Sequence, residues 1–269
     1  MTKTLRFICL GHALLIFCIC AFCLLYVSSD LVVKKSIKLP DGSIYEGSLD
    51  NSGLLSGYGV LRWSTGAEYR GEFHEGLMHG EGVYKGADAS VTKGLFNHGT
   101  IAHGVIINSA GDKFEGEFVN GMLNGHAVIK YATGAIYEGE VKNGYENGYG
   151  RYVSPNGDIA EGHFTDGVLD GPAKINYYIG GYYDGGFVGG FRSGKGVLVY
   201  ANGDRYEGDF YNDMPSGYGS YRKHNGDQYI GQFKQGEFHG EGLYSRSSGG
   251  ELKGYFRYGE YLGTHNLKD

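Results

Sequence analysis

Apolar and polar residues alternate with a period of two along most of this chain, and glycines share the apolar positions with aromatic residues. In the segment Tyr-Arg-Gly-Glu-Phe, Tyr69, Gly71 and Phe73 have one parity and the two charged residues have the other. Successive side chains of a β-strand point to opposite faces. The pattern therefore predicts a strand with one buried and one solvated face.

This strand pattern recurs in ten copies at a nearly constant spacing. We number the copies by their central glycines, which follow one another in steps of 24, 23, 22 and then 23 residues: Gly47, Gly71, Gly94, Gly116, Gly139, Gly162, Gly185, Gly208, Gly231 and Gly254. Aromatic residues stand two positions before the central glycine at Tyr45, Tyr69, Phe114, Tyr137, Tyr183, Tyr206 and Tyr229. Apolar residues stand two positions after it at Leu49, Phe73, Phe96, Phe118, Val141, Phe164, Phe187, Phe210, Phe233 and Phe256. Such self-similarity is the signature of a repeat architecture.

Each of these strands is followed by a second strand of the same kind. Gly80, Gly82 and Tyr84 share one face, and a stretch of glycine and polar residues, typical of a turn, separates them from Phe73. A further glycine, such as Gly66, separates one copy from the next. Each copy is therefore predicted to be a β-hairpin, and the ten hairpins are predicted to stack into an all-β, elongated, single-layer antiparallel sheet over residues 42–263.

The glycines lie on the predicted aromatic face. We expect rings from neighbouring strands to lie flat over the bare backbone, so that a side chain at a central glycine would collide with a ring. Thr92 in copy three, and Ala160 and Pro172 in copy six, break the pattern. We expect bends or local weakening of the sheet at these two copies.

An apolar segment precedes the repeats. Residues 7–27 contain one ionisable group, His12, and would span roughly 31 Å as a helix, the thickness of a bilayer's hydrocarbon core. The segment is predicted to be an uncleaved transmembrane signal-anchor, with a tail at 1–6 and a linker at 28–41; a cleaved signal peptide is the alternative. The repeat domain is expected on the extracytoplasmic side, with a C-terminal tail at 264–269.

The amino-acid composition excludes several kinds of chemical site from the repeats. All four cysteines lie in the first 23 residues, so the repeats hold no disulfide framework, cysteine–zinc site or thiol nucleophile. The formal charge is −6 and basic residues are not clustered in the repeats, which argues against a nucleic-acid partner. His79, His103 and His239 are interpreted as polar turn residues rather than metal ligands. Neither a phosphate-binding loop nor a catalytic constellation is recognisable, so we expect no enzyme activity and no cofactor.

The repeat resembles the MORN (membrane occupation and recognition nexus) family. "YRGEFHEGLMHGEG" (69–82) and "YIGQFKQGEFHGEG" (229–242) match its pattern of Tyr-x-Gly-x-aromatic, a turn and Gly-x-Gly. The resemblance implies a twisted, elongated sheet with a concave groove. It also implies a role as a scaffold, a membrane-proximal tether, a dimerisation module or a lipid-contacting segment.

Two functions are consistent with these observations. The first is a non-enzymatic, membrane-anchored scaffold that contacts a protein partner or a second copy of itself. The alternative is a module that binds a polysaccharide or lipid headgroup on its concave aromatic face. The densest aromatic stretch supplies the candidate binding residues, which could equally be core residues at a glycine-rich hairpin junction: Tyr177, Tyr178, Tyr182, Tyr183, Phe187 and Phe191.

Overall fold

The computed structural model describes residues 36–264, which form a single sheet of 21 strands and contain no helix. The strands are β1 (Ser36–Lys38), β2 (Ile44–Leu49), β3 (Leu55–Arg62), β4 (Glu68–His74), β5 (Leu77–Lys85), β6 (Val91–Asn97), β7 (Thr100–Ile107), β8 (Lys113–Val119), β9 (Met122–Lys130), β10 (Ile136–Lys142), β11 (Tyr145–Val153), β12 (Ile159–Thr165), β13 (Val168–Asn176), β14 (Tyr182–Val188), β15 (Phe191–Val199), β16 (Arg205–Tyr211), β17 (Met214–Arg222), β18 (Gln228–Lys234), β19 (Glu237–Ser245), β20 (Glu251–Arg257) and β21 (Glu260–Gly263).

Every strand pairs antiparallel with the strand that follows it in the chain, so the sheet is one long meander. The predicted all-β, antiparallel, single-sheet fold is confirmed. The two terminal strands are short, with three residues in β1 and four in β21. Short end strands blunt the hydrogen-bonding edges of a sheet.

The first strand corrects one predicted boundary. β1 lies within residues 28–41, which the sequence pattern assigned to a linker, and Ile37 pairs with Tyr45 of β2. The sequence pattern missed β1 because three residues are too few to show a period. The predicted transmembrane segment at 7–27 lies outside the described residues, and none of residues 36–264 forms a helix long and apolar enough to cross a bilayer.

The strands are joined differently at the two long edges of the sheet. At one edge, which we call the turn edge, two-residue turns close every hairpin after the first; in the β4–β5 hairpin Glu75 and Gly76 have φ of 50° and 80°. Positive φ at both residues is the mark of the type I′ turn, whose twist matches that of the strands. At the other edge, the loop edge, five-residue loops join successive hairpins. Gly66 stands in such a loop with φ of 94°, and the Trp63 amide donates to the Ala67 carbonyl at 2.9 Å.

Each hairpin contains a register shift next to its central glycine. In the β16–β17 hairpin, for example, the pairing shifts between Gly208 and Phe210. Such β-bulges bend a strand and increase its right-handed twist. They also leave a backbone carbonyl without its ladder partner, a point that matters for the tyrosines below.

The core lies on the face that carries the tyrosines and phenylalanines, which we call the core face. Six tyrosines on it are fully buried: Tyr45, Tyr69, Tyr137, Tyr183, Tyr206 and Tyr229. All eight of the aligned phenylalanines are buried as predicted, whereas Leu49 is 42% exposed. Leu49 departs because the first hairpin has a five-residue loop, and Leu55 of β3 is buried in its place.

Where a copy has a tyrosine, its central glycine lies under an aromatic ring as expected, but the ring belongs to the glycine's own strand rather than to a neighbouring strand. A Cβ added at Gly71 would lie 2.5 Å from the Tyr69 hydroxyl, and one added at Gly82 would lie 2.5 Å from the Tyr69 ring. The ring thus comes from the same strand as the central glycine and crosses onto the following strand. Each tyrosine therefore needs two bare positions, one on each strand of its hairpin.

The core divides into two clusters at copy six. One cluster extends from Tyr45 to Phe164 and the other from Ala173 to Phe256. The weakening expected at Ala160 therefore coincides with a break in the core. At Thr92 the core is continuous, because Phe96 and Ile101 keep copy three within the first cluster. The bend or weakening expected there stays a prediction.

Candidate functional site

The structure separates the six aromatic residues singled out by the sequence. Tyr183 and Phe187 lie in the core, with ring centroids 5.2 Å apart, and Tyr177 packs half-buried against the same cluster. These three rings support the sheet. Because they face the core, they have little surface left for a ligand.

The remaining three point elsewhere. Tyr178 is 77% exposed at the loop edge, and Phe191 is 53% exposed at the turn edge. The length of β14, seven residues or roughly 20 Å, lies between them. Tyr182 lies on the opposite, outer face, with the Lys174 ammonium 5.0 Å from its ring centroid. These side chains therefore do not form one binding surface, and their binding role stays a prediction.

An aromatic groove on the core face was not predicted. It has a volume of about 360 Å³ and spans copies eight to ten. It is lined by Tyr200, Tyr206, Pro215, Tyr221, Phe233, Gly236, Glu237, Phe238, Tyr258 and Gly259. A signal in the sequence could have revealed this groove. The second residue of the second strand in each hairpin is apolar in these copies, as at Pro215 and Phe238, and it lies on the same face as the tyrosines.

Aromatic packing holds this groove in shape. Phe238 stacks on Tyr229 at a centroid distance of 3.9 Å and an interplanar angle of 10°. Tyr221 contacts the edge of the same cluster, 6.1 Å from Phe238. Tyr200 and Tyr258 remain 38% and 52% exposed. Tyr200 can therefore contact a ligand without opening the core, whereas the Tyr258 ring packs against Lys234 and His239 of the outer face.

Charged residues take the place of apolar ones at two positions on the core face. The Arg192 guanidinium lies 5.5 Å from the ring centroids of both Tyr183 and Phe210, and its Nη2 donates to the Asp213 carbonyl at 2.7 Å. A cation over aromatic faces is attracted by their quadrupoles. At the matching position of copy five, the Glu146 carboxylate accepts a hydrogen bond from the Tyr131 hydroxyl. Burial, together with that bond, raises the pKa of Tyr131.

Aspartates at the loop edge connect neighbouring loops. The Asp227 carboxylate accepts bonds from the Ser247 amide and the Tyr244 hydroxyl, both at 2.9 Å, and these bonds lower the pKa of Asp227 to about 2. Asp204 bonds in the same way to Tyr221 and His224, which holds its pKa well below the usual range. Their lowered pKa values thus arise from structural bonds.

The outer face has two adjoining depressions of about 600 and 590 Å³. They share Tyr218 and Ile230 in their linings. Lys195, Glu207 and Glu241 add charges of both signs.

The histidines do not converge on a metal site. Within residues 36–264, no three His, Cys, Asp or Glu side chains are placed to hold a metal ion. His79, His103 and His239 lie in strands β5, β7 and β19 rather than in turns, which corrects their predicted position. Each of these histidines lies beside the β-bulge of its hairpin. The extra residue at the bulge is the reason why the surrounding sequence resembled a turn.

Comparisons with known proteins agree with the repeat pattern. The MORN repeat family model matches seven segments: residues 45–68, 69–91, 114–136, 137–159, 183–205, 206–228 and 229–251. Together these cover more than half of the chain. The two internal gaps contain Thr92 and Ala160, where the first aromatic is missing.

Individual relatives match less of the chain or match it more weakly. A segment of 65 residues is 42% identical to Alsin of Rattus norvegicus, covering 22% of this chain and 4% of Alsin. The TCP10 domain of Danio rerio CPAP has a TM-score of 0.42 at 10% identity, over 81% of this chain and 97% of that chain. The SAS-4 TCP domain of Drosophila melanogaster, solved with a proline-rich motif of Ana2, has a TM-score of 0.32 at 10% identity, over 84% and 92%.

The similarity to these solved structures is too distant to support a functional argument. The family match rests instead on the period, the Tyr-x-Gly-x-aromatic strands and the hairpins they form. By these criteria, the chain belongs to the MORN repeat family.

Proposed function

We propose that this protein is a non-enzymatic scaffold that holds a protein partner along the core face of its sheet. The observation that carries the proposal is an aromatic face without a second layer: residues 36–264 form one sheet only, and the groove at copies eight to ten is open to solvent. Exposed aromatic side chains in a shaped groove are typical anchors for protein partners.

The charges on the core face add specificity to this proposal. Glu146 forms no ion pair among the described residues, and Arg192 is shared with Asp213. A partner that lies along the face would meet an acidic and a basic position two copies, or roughly 19 Å, apart. Such placed charges select partners more than they add affinity.

The proposal of a non-enzymatic role is supported by the nature of the perturbed groups. The strongly acidic aspartates lie in loops, where their carboxylates accept bonds from backbone amides. Burial is the first cause of the raised pKa of Tyr69, Tyr206 and Tyr221. Structural bonds and burial thus account for these shifts. We further propose that residues 7–27 anchor the protein in a membrane and that the repeats lie on the extracytoplasmic side.

The groove predicts a specific loss of binding. In the tagged full-length chain, Tyr200→Ala should remove the partner proteins that co-purify with the wild type. Quantitative mass spectrometry of the co-purified proteins measures the effect.

The matched control changes a more exposed tyrosine on the outer face. Tyr218→Ala, at a residue 59% exposed against 38% for Tyr200, should leave the partners in place. Partners that survive the groove variant, or disappear with the outer-face variant, would contradict binding at the core face.

A further inference from the structure

Three histidine rings meet on the outer face at the turn edge, in copies two and three. The ring centroids of His74 and His79 lie 5.4 Å apart, and those of His79 and His98 lie 6.2 Å apart. His74 and His98 are exposed, and His79, the middle ring, is half-buried. We call these three residues the histidine cluster.

Strand pairing brings the cluster together from three separate elements. His74 is the last residue of β4, and His79 lies in β5 across from Glu72, two residues before His74. β6 pairs with the other side of β5, and the turn that follows β6 carries His98 to the His79 ring. The contact therefore depends on the pairing of three strands.

The same three positions also meet in copy nine. Lys234, His239 and Tyr258 occupy them there, with the His239 and Tyr258 ring centroids 5.2 Å apart and the Lys234 ammonium 5.9 Å from the Tyr258 ring. The convergence is thus a property of the repeat, and in copies two and three imidazoles occupy all three positions. Copy nine therefore supplies a matched comparison for the histidine cluster.

The ring distances are close to those of imidazoles that share one metal ion. With a metal–nitrogen distance of about 2.0–2.1 Å, the centroids of two imidazoles on a tetrahedral ion lie roughly 5 Å apart, and the distances in the cluster are within roughly 1 Å of this value. As the side chains stand, their nitrogens are not aimed at one point. Exposed side chains change rotamer freely, so an ion can draw His74 and His98 towards His79.

His98 already has the tautomer of a metal ligand. Its Nδ1 lies 2.7 Å from Oδ1 of Asn97. An amide oxygen only accepts hydrogen bonds, so Nδ1 carries the proton and donates it, and Nε2 keeps its lone pair. Metal-ligating histidines almost always donate their other nitrogen to an acceptor in this way. Nε2 of His98 is therefore the nitrogen that a cation would bind.

Carboxylates surround the cluster. The Glu75 carboxylate lies 3.8 Å from His74 Nε2, and Glu72 is the partner of His79 across the two strands. Glu81, two residues after His79, is exposed. Among the described residues, neither Glu72 nor Glu81 forms an ion pair. Their negative charge attracts a cation to this part of the surface.

We propose that the histidine cluster is a binding site for zinc, with the three imidazoles as ligands and the fourth tetrahedral position left to water. Imidazole is a common ligand of zinc, whereas the hard cation Mg²⁺ prefers oxygen. The bound ion would connect copy two to copy three at the turn edge, where the strand ladder has ended. The site lies five copies, or roughly 48 Å, from the aromatic groove, so it goes beyond the proposed scaffold function.

The test is zinc binding by the full-length chain in detergent, purified without a polyhistidine tag and followed by isothermal titration calorimetry. The double variant His79→Asn with His98→Asn should bind zinc at this site at least about tenfold more weakly than the wild type, because it keeps one imidazole of three. Asparagine stands at the matching positions of copy four, Asn124 and Asn120, so the variant should fold. The four cysteines are the same in every variant, so any zinc that they bind is common to all.

The matched control is His239→Asn, at the position of His79 in copy nine, which should leave zinc binding unchanged. Co²⁺ supplies a second measurement: bound by imidazoles in a tetrahedral site it absorbs strongly in the visible range, and this band should disappear in the double variant and persist in the control. Equal zinc binding by the wild type and the double variant, an equal loss in His239→Asn, or equal binding of Mg²⁺ would overturn the inference. Co-purification of partner proteins with the double variant tests the scaffold function separately.

Discussion

The buried positions of the core require tyrosine rather than phenylalanine because the tyrosine hydroxyl makes a hydrogen bond. The Tyr206 hydroxyl donates to the Asp209 carbonyl at 2.8 Å, and Tyr137 donates to Glu140 at 2.7 Å. In both cases the acceptor lies three residues further on, at the β-bulge, where the ladder is interrupted. A buried carbonyl without a partner is costly. Phenylalanine would fill the space and leave that carbonyl unpaired.

We therefore expect Tyr206→Phe to destabilise the fold by about 1–2 kcal/mol. The measurement is the midpoint of thermal unfolding, which should fall by roughly 2–8 °C for a domain of this size. Tyr218→Phe, on an outer-face tyrosine that is 59% exposed, makes the same chemical change outside the core and should have little effect. Equal effects of the two variants would argue against the role of the hydroxyl.

At the scale of the elements, aspartates join four loops of the loop edge, each to the loop that follows it. The carboxylates of Asp112, Asp158, Asp204 and Asp227 each accept the backbone amide twenty residues further on, at 2.8–2.9 Å. Twenty residues lead from one loop into the following one, so each bond connects two hairpins. These bonds complement the strand pairing at an edge where the ladder has ended.

The loop bonds predict a loss of stability in acid. Because the pKa of Asp227 is about 2 in the folded chain and lies near 4 in the unfolded one, its contribution is complete above pH 4 and disappears as the pH falls to 2. Thermal unfolding should therefore show Asp227→Asn to be less stable than the wild type at pH 7, and the gap should close below pH 2. A gap that is constant across this range would contradict the assignment.

At the scale of the whole molecule, the core is a row of packed apolar side chains with one break between its two clusters. In copies seven to nine each tyrosine contacts the phenylalanine of its own and of the next copy, as Tyr206 contacts Phe210 at 5.1 Å and Phe233 at 4.8 Å. Copy six has Ala160 in place of the tyrosine, and Ala173 in place of the glycine across from it. Copy four shows the same exchange, with Phe114 and Ala127. Where the tyrosine hydroxyl is missing, the facing strand has room for a methyl group.

The interruption at copy six predicts two unfolding transitions in calorimetry, one for each core cluster, because repeat arrays lose cooperativity where a neighbour interface is weak. Ala160→Tyr with Ala173→Gly should complete the row and bring the transitions together. Ala160→Tyr alone serves as the control and should destabilise the fold, since the new ring would collide with the Ala173 methyl group. A single transition in the wild type would show that the row does not set cooperativity.

The local chemistry of the repeat was sufficient to predict much of this fold. The hairpins, the two faces, the buried Tyr and Phe columns and the need for bare glycines all follow from period-two alternation and from residues a few positions apart. The register shift at each central glycine was not predicted, because it depends on how the strand pairs with its neighbour. That shift is why Tyr69 covers a glycine of its own strand and why its hydroxyl finds an acceptor.

What the sequence alone determined is therefore the repeating unit, since one hairpin is specified by contacts within about 23 residues. What only the tertiary structure decided is which side chains of different copies come together on one surface of the sheet. Tyr178 and Phe191, thirteen residues apart, project from opposite edges of the sheet, while Tyr200 and Phe238 line one groove. Neighbours across stacked hairpins are set by strand pairing over the whole sheet, and that order is not visible in any single copy.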